Sequence, residues 1–210
     1  LNQRIVIIDD DAAVCASLAS VLATHGFEAT SFTTARSAIE QLPQVACDCV
    51  LLDVRMPDLD GLTALKLIQS AGAHPPVIMI TGHADVPMAV QTMKLGAADF
   101  IEKPVDDEEL VRSIRSAIER GKRDAEELSL ARLVRERYDK LSPREQAVAD
   151  LVVDGYSSSA IAANLNISVR TVDHHRASIL AKMQATSLPQ LLKFLLCIPR
   201  DRKDRPQNPK

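Results

Sequence analysis

The sequence lacks the marks of several large protein classes. No apolar run approaches the roughly 18–20 residues of a membrane-spanning helix, and Ile5-Val6-Ile7-Ile8 is too short for the hydrophobic segment of a signal peptide. Its four cysteines, Cys15, Cys47, Cys49 and Cys197, form no C-x-x-C pair for zinc or thiol exchange, and three stand in apolar runs that suit buried, reduced thiols. Neither sign of charge is in great excess. The formal net charge of −3 argues against a strongly basic nucleic-acid binder and against an acidic disordered tail. The expected compartment is the cytoplasm, with no membrane partner. What remains is an ordinary globular composition, 46% hydrophobic and 25% charged over 210 residues, enough for one or two domains.

The near-neutral total conceals two unlike halves. Residues 1–120 hold 9 Lys and Arg against 17 Asp and Glu, whereas residues 121–210 hold 16 against 11. Such a contrast suggests two domains with different partners.

In the acidic half, short apolar runs alternate with helix-period segments. Arg4–Ile8, Phe27–Phe32, Cys49–Leu52, Val77–Ile80 and Phe100–Glu102 read as strands. The first, third and fourth are almost wholly apolar, as parallel strands buried on both faces must be. Between them, Val14, Leu18, Val21 and Leu22 repeat at helical spacing before Gly26. Leu62, Leu65 and Ile68 do so before Gly72, Val86, Val90 and Met93 before Gly96, and Leu110, Val111, Ile114 and Ile118 before Gly121. Five β-then-α units imply an α/β fold, a five-stranded doubly wound parallel sheet. Residues 121–139, with five basic and five acidic side chains, read as a helical connector that could continue the fifth helix.

From Leu141 no strand pattern survives. Ser142, Pro143 and Glu145 spell a capping box with proline in the first turn, and Ala147, Val148, Leu151 and Val152 supply the apolar stripe behind it. Ser157–Leu165 reads as a second helix, Asn166-Ile167 as a turn, Ser168 as the cap of a third helix to about Met183, and Leu188–Cys197 as a fourth. Four short helices with that turn suggest a small all-α helix-turn-helix domain. Pro199–Lys210 reads as a disordered tail.

Chemistry concentrates after the first strand, at Asp9, Asp10 and Asp11. In open α/β sheets the functional crevice lies beyond the carboxyl ends of the strands. Asp53, Thr81 and Lys103 stand at the ends of the third, fourth and fifth strands. Carboxylates crowded there repel one another, and a hard divalent cation such as Mg²⁺ with oxygen ligands is the usual remedy.

Ile5-Val6-Ile7-Ile8-Asp9-Asp10-Asp11, Leu51-Leu52-Asp53-Val54-Arg55-Met56-Pro57-Asp58, Ile80-Thr81-Gly82-His83 and Phe100-Ile101-Glu102-Lys103-Pro104 together resemble a response-regulator receiver domain of flavodoxin-like topology, in order and across essentially all of residues 1–120. The resemblance implies that Asp53 is the phosphoacceptor. Asp10 would bind Mg²⁺ directly and Asp9 through water, with the Arg55 carbonyl as a further ligand. Lys103 would pair with Asp53 or a phosphate oxygen, ahead of a cis bond to Pro104. Thr81 would donate its hydroxyl to the phosphoryl group, and Phe100 would be the aromatic switch. The run Thr81-Gly82-His83-Ala84-Asp85-Val86-Pro87-Met88-Ala89-Val90 and the stretch Lys94 to Pro104 resemble the FixJ subfamily. There the fourth helix and fifth strand form a phosphorylation-dependent dimer face, which would include Val90 and Lys94.

The set Leu141-Ser142-Pro143-Arg144-Glu145, Gly155, Ile161-Ala162, Leu165, Ile167-Ser168, Thr171-Val172, His175-Arg176 and Lys182-Met183 resembles the LuxR/FixJ-type DNA-binding domain over residues 140–198. By that resemblance Asp173, His174 and Ala177 face base edges, while Arg170, Thr171, His175 and Arg176 contact phosphates or position the helix. Ser158-Ser159 departs from the Asn-Lys usual in the family; by the resemblance, losing that lysine contact to phosphate would weaken non-specific affinity and flatten its salt dependence. Arg200, Arg202, Lys203 and Arg205 could compensate from the tail.

The combined expectation is a two-component response regulator. Its implied partners are a sensor histidine kinase, double-stranded DNA, a second copy of itself once phosphorylated, and RNA polymerase. It would be no enzyme beyond Mg²⁺-dependent gain and loss of its own phosphoryl group. Two alternatives stand beside it. One is a receiver whose helical output acts through protein contacts. The other is a haloacid-dehalogenase-type phosphatase, which would want a second acid where Arg55 stands.

Overall fold

The computed structural model describes residues 2–70, 75–82 and 85–198. Gly72, His83 and the tail 199–210, with the basic residues noted there, lie outside the described residues. The chain divides into two compact units between Ala125 and Glu126.

In the first unit five strands, β1 (Arg4–Ile8), β2 (Glu28–Phe32), β3 (Cys49–Asp53), β4 (Val77–Thr81) and β5 (Asp99–Glu102), form a parallel sheet of order β2-β1-β3-β4-β5. The helices α1 (Ala12–Thr24), α2 (Ala35–Gln41), α3 (Gly61–Ser70), α4 (Val86–Lys94) and α5 (Asp107–Tyr138) follow the strands in turn. The alternation of side chains along each strand builds two cores. Ile5, Ile7, Leu51, Ile78 and Ile80 pack with Leu18, Leu22, Leu110 and Ile114 on one face. Val6, Ile8, Val50, Leu52 and Met79 pack with Ala64, Leu65 and Ile68 on the other. Strands β3 and β4 are buried at every position, which explains their unbroken apolar runs.

Two details sharpen the sequence reading. Gly121 does not end α5, which continues through it to Tyr138. A Cβ there would meet the Pro76 ring at 3.4 Å, an ordinary van der Waals contact, so the position does not depend on glycine. In α4 the apolar stripe is turned outward: Val86, Val90 and Met93 are 77%, 47% and 47% exposed, while Thr92 is fully buried. The cysteines are all free; Cys15 and Cys49 are buried, Cys47 and Cys197 partly so.

The second unit, beyond Ala125, contains α6 (Pro143–Val153), α7 (Ser158–Leu165), α8 (Val169–Met183) and α9 (Leu188–Leu196). Every one begins at a serine whose side chain accepts a backbone N–H of the first turn: Ser142, Ser157, Ser168 and Ser187. Asn166 and Gln184 close α7 and α8 in the left-handed conformation, at φ 52° and 55°. Val148, Leu151, Ile161, Val172, Ile179, Met183 and Leu191 form the core. No helix among the described residues is long and apolar enough to cross a membrane.

Candidate functional site

The parallel register brings four strand ends to one edge. Ile8 pairs with Leu52, Asp53 with Ile80, and Thr81 with Glu102, so Asp9, Asp53, Thr81 and Lys103 fall within a residue of one another across the sheet. The Lys103 ammonium lies between two buried carboxylates, donating to Asp9 Oδ2 at 2.6 Å and to Asp53 Oδ1 at 2.6 Å. The remaining oxygens are held by backbone N–H groups. Asp11 donates to Asp9 Oδ1 at 3.0 Å, and Arg55 donates to Asp53 Oδ2 at 2.6 Å. Both carboxylates are thereby fixed in direction.

Burial pushes the Asp53 carboxyl above its ordinary pKa, against the opposing pull of Lys103 and the Arg55 amide. Burial works the other way on Lys103, but its bonds to Asp53 and Asp9 outweigh it and keep the ammonium charged beyond its usual range.

The crowding of acids expected from the sequence is therefore relieved first by a lysine. Of the three consecutive aspartates, Asp9 is buried at the ammonium, Asp10 is exposed, and Asp11 caps α1 by accepting from the Ala13 amide at 2.8 Å. Among the described residues no three acidic, His or Cys side chains converge tightly enough to enclose an ion. The donors present are hard oxygens with spare lone pairs. They suit Mg²⁺, which keeps several waters when bound.

Thr81 is buried at the end of β4, where its carbonyl accepts from the Lys103 amide at 2.7 Å. Phe100 is half-buried against the core that holds Val77 and Met79. The Lys103–Pro104 peptide is cis. Val90 and Lys94 are exposed on α4.

Sequence reasoning missed two residues that shape this edge. Gly61 opens α3 directly over Asp53, and Asp58 fastens the intervening loop by accepting from the amides of Ala35 (3.4 Å) and Arg36 (3.1 Å) at the start of α2. Slight burial would raise the Asp58 pKa, but those amides outweigh it and hold the carboxyl below its ordinary range. The turn chemistry of Pro57 and Gly61 was the available signal.

In the second unit, Arg170, Asp173, His174 and Ala177 are exposed at helical spacings of three, one and three residues, on one face of α8. Thr171, His175 and Arg176 are half-buried beside that face. The Thr171 hydroxyl is 2.8 Å from that of Ser168, and Arg176 donates to Ser158 at 2.8 Å. Behind the helix lies a second feature read from the sequence only as a cap. Buried Glu145 accepts from Ser142 N–H (2.7 Å), Ser178 Oγ (2.6 Å) and Lys182 Nζ (2.7 and 2.9 Å), tying α6 to α8.

Comparison with known proteins decides the family. Residues 5–115 match the response regulator receiver domain, and residues 139–195 match the bacterial regulatory proteins of the luxR family. The chain is 42% identical over 193 residues to the transcriptional regulatory protein FixJ of Bradyrhizobium diazoefficiens, covering 92% of this chain and 94% of that one. It belongs to the FixJ-type response regulators. Among solved structures it resembles full-length FixJ from B. japonicum (TM-score 0.59, 41% identity, 93% and 96% of the two chains). It also resembles the response regulator StyR (TM-score 0.73, 29% identity, 93% and 99%). As in other FixJ-type regulators, a receiver precedes a luxR-type helix-turn-helix domain, the composition of a transcription regulator.

Proposed function

We propose that this regulator is phosphorylated on Asp53 by a sensor histidine kinase, pairs through its α4–β5 face, and binds a two-fold DNA site in the cytoplasm to control transcription. The observation that carries the reading is the Lys103 ammonium held between the Asp9 and Asp53 carboxylates at the carboxyl edge of the sheet.

In this reading an Asp53 oxygen forms a bond to phosphorus as the bond from phosphorus to the kinase histidine breaks. The Arg55 amide orients the carboxylate, and Lys103 is placed to follow the charge onto a phosphoryl oxygen. Asp9, Asp10, Asp53 and the Arg55 carbonyl would hold Mg²⁺, whose charge, when bound, offsets that of the phosphoryl oxygens. Thr81 would donate its hydroxyl to the arriving group, and Phe100 would follow it inward. The chain catalyses nothing beyond gain and loss of its own phosphoryl group.

The exposed apolar side chains of α4 support pairing of two copies, and the exposed face of α8 supports entry into a major groove, with RNA polymerase as a further partner. The full chain with acetyl phosphate and Mg²⁺ tests the proposal. Asp53→Asn should abolish acid-labile phosphate incorporation and the gain in DNA affinity that accompanies it. Retained labelling overturns the assignment of the phosphoacceptor.

A further inference from the structure

Ser158 occupies the first turn of α7, next to the cap residue Ser157, and reaches across to α8. Its hydroxyl donates to Asp173 Oδ1 at 3.2 Å and accepts from Arg176 Nη1 at 2.8 Å. Asp173 and Arg176 are three positions apart on one side of α8, yet among the described residues they form no direct ion pair within 4 Å. One serine hydroxyl stands between them. A hydroxyl has one hydrogen to give and lone pairs to receive, so the bond from Arg176 leaves that hydrogen for Asp173. The Arg176–Ser158–Asp173 chain therefore has a direction, and each bond strengthens the next.

We propose that Ser158 is a specificity-determining positioning residue for DNA reading; the inference rests on the assignment of α8 as the recognition helix. Asp173 is exposed on the outward face of α8, where a free carboxylate samples several rotamers and repels the phosphate backbone. The hydroxyl limits that freedom before DNA arrives, so less rotamer entropy is lost on docking. It also couples the carboxylate to a guanidinium one atom away, which offsets its charge. A carboxylate held this way is an acceptor only, and the base edge it matches in the major groove is the N4 amino group of cytosine. Arg176 keeps its other N–H groups for a phosphate oxygen.

The test is selection from random DNA by the full chain treated with acetyl phosphate and Mg²⁺, followed by titrations of the selected site over a range of salt. Ser158→Ala should lose roughly fivefold to tenfold of the preference for cytosine at the position where Asp173→Ala also loses it. Its salt slope should not change. Ser158→Thr, which keeps the hydroxyl, should restore the wild-type preference, and thermal unfolding should be the same for all three proteins. If Asp173→Ala alters the selected sequence and Ser158→Ala does not, the role of Ser158 is overturned while the recognition-helix assignment stands. A uniform loss of affinity with a shallower salt slope in Ser158→Ala overturns it too, because that is the signature of a phosphate contact. If the wild-type chain selects no sequence, the assignment of α8 fails and this inference with it.

Discussion

Gly61 presses against Asp53 so closely that a Cβ on it would lie 2.2 Å from the Asp53 carbonyl oxygen and 2.7 Å from the Val54 Cα. Both obstacles are backbone, and neither can turn aside as a side chain can. The Gly61 amide also donates to the Val54 carbonyl at 2.8 Å, which pins the start of α3 to the end of β3.

Gly61→Ala should accordingly move the segment that carries the nucleophile. The expected cost is about 1–3 kcal/mol of receiver stability, the range for overpacking a fitted site. Phosphate uptake from acetyl phosphate should fall more than stability alone explains, since Asp53 itself is displaced. Chemical denaturation and labelling kinetics on the same preparation check both. Wild-type labelling in Gly61→Ala would show that the loop absorbs the methyl group without moving Asp53.

Lys103 supplies the only cation bonded to Asp9 and Asp53 among the described residues. Lys103→Ala should leave two buried carboxylates facing each other and destabilise the receiver by about 3–5 kcal/mol at neutral pH, as when one member of a buried pair is removed. The sign of the pH dependence follows from the groups involved. In the wild type the raised pKa of Lys103 means that its contribution is complete below the ordinary lysine value and is lost only as pH climbs through the folded one. In the variant, protonation of Asp53, already favoured by burial, removes the repulsion, so the deficit should narrow as pH falls through the carboxylate range. Denaturation of both proteins at neutral and mildly acidic pH measures the gap. A gap that does not change with pH would mean that the loss comes from packing of the lysine stem.

The outward stripe of α4 gives opposite expectations for neighbouring residues. Val90→Glu should change unfolding free energy by less than about 0.5 kcal/mol, because the side chain is half exposed and packs against neither core of the receiver. It should nevertheless keep the acetyl-phosphate-treated chain monomeric in sedimentation. Thr92→Val should stabilise the receiver by about 1 kcal/mol, since the buried Thr92 hydroxyl has no hydrogen-bond partner among the described residues. Phosphate-dependent pairing by Val90→Glu would remove α4 from the interface.

These residues also show how far the sequence could be read. Strands β3 and β4 were legible because burial on both faces leaves no position for a polar side chain, and the four serine caps were legible because capping is local chemistry. In α4 the period announces a helix, but a period does not say which side of the helix finds a neighbour. By period alone Val86, Val90 and Met93 could belong to core or surface, and the fold leaves them exposed. Asp9 and Lys103, or Ser158 and Asp173, meet only after strands or helices far apart in the chain are packed. No spacing along the chain encodes those distances; in the acidic pocket the strand ends alone bring the residues to one edge of the sheet, and the pairing of Lys103 with Asp53 comes from the family resemblance. Gly61 is harder still, since its importance lies in the side chain it does not have.

Glu145 offers the sharpest pH test. Bonds from Lys182 and Ser178, with the Ser142 amide, outweigh its burial and pull its pKa from 4.5 to about 2. A carboxyl depressed in this way contributes stability that is present above its unfolded pKa and is lost as pH falls through the folded one, here between about 4.5 and 2. Because the Lys182 side chain is 44% exposed, solvent screens the pair, and the contribution at neutral pH is about 2 kcal/mol. Glu145→Gln should lose that amount near pH 7 while keeping the capping geometry, which glutamine also satisfies. The difference from wild type should shrink steadily as pH is lowered toward 2, and high salt should shrink it at neutral pH as well. Since Glu145 joins α6 to α8, the same substitution should loosen α8 and speed amide exchange around Ser178 and Lys182. Equal stabilities at pH 7 would show that the Lys182–Glu145 bond is offset by the cost of burying the carboxylate, and that α8 is held in place by Val172, Ile179 and Met183 and by its bonds to Ser158.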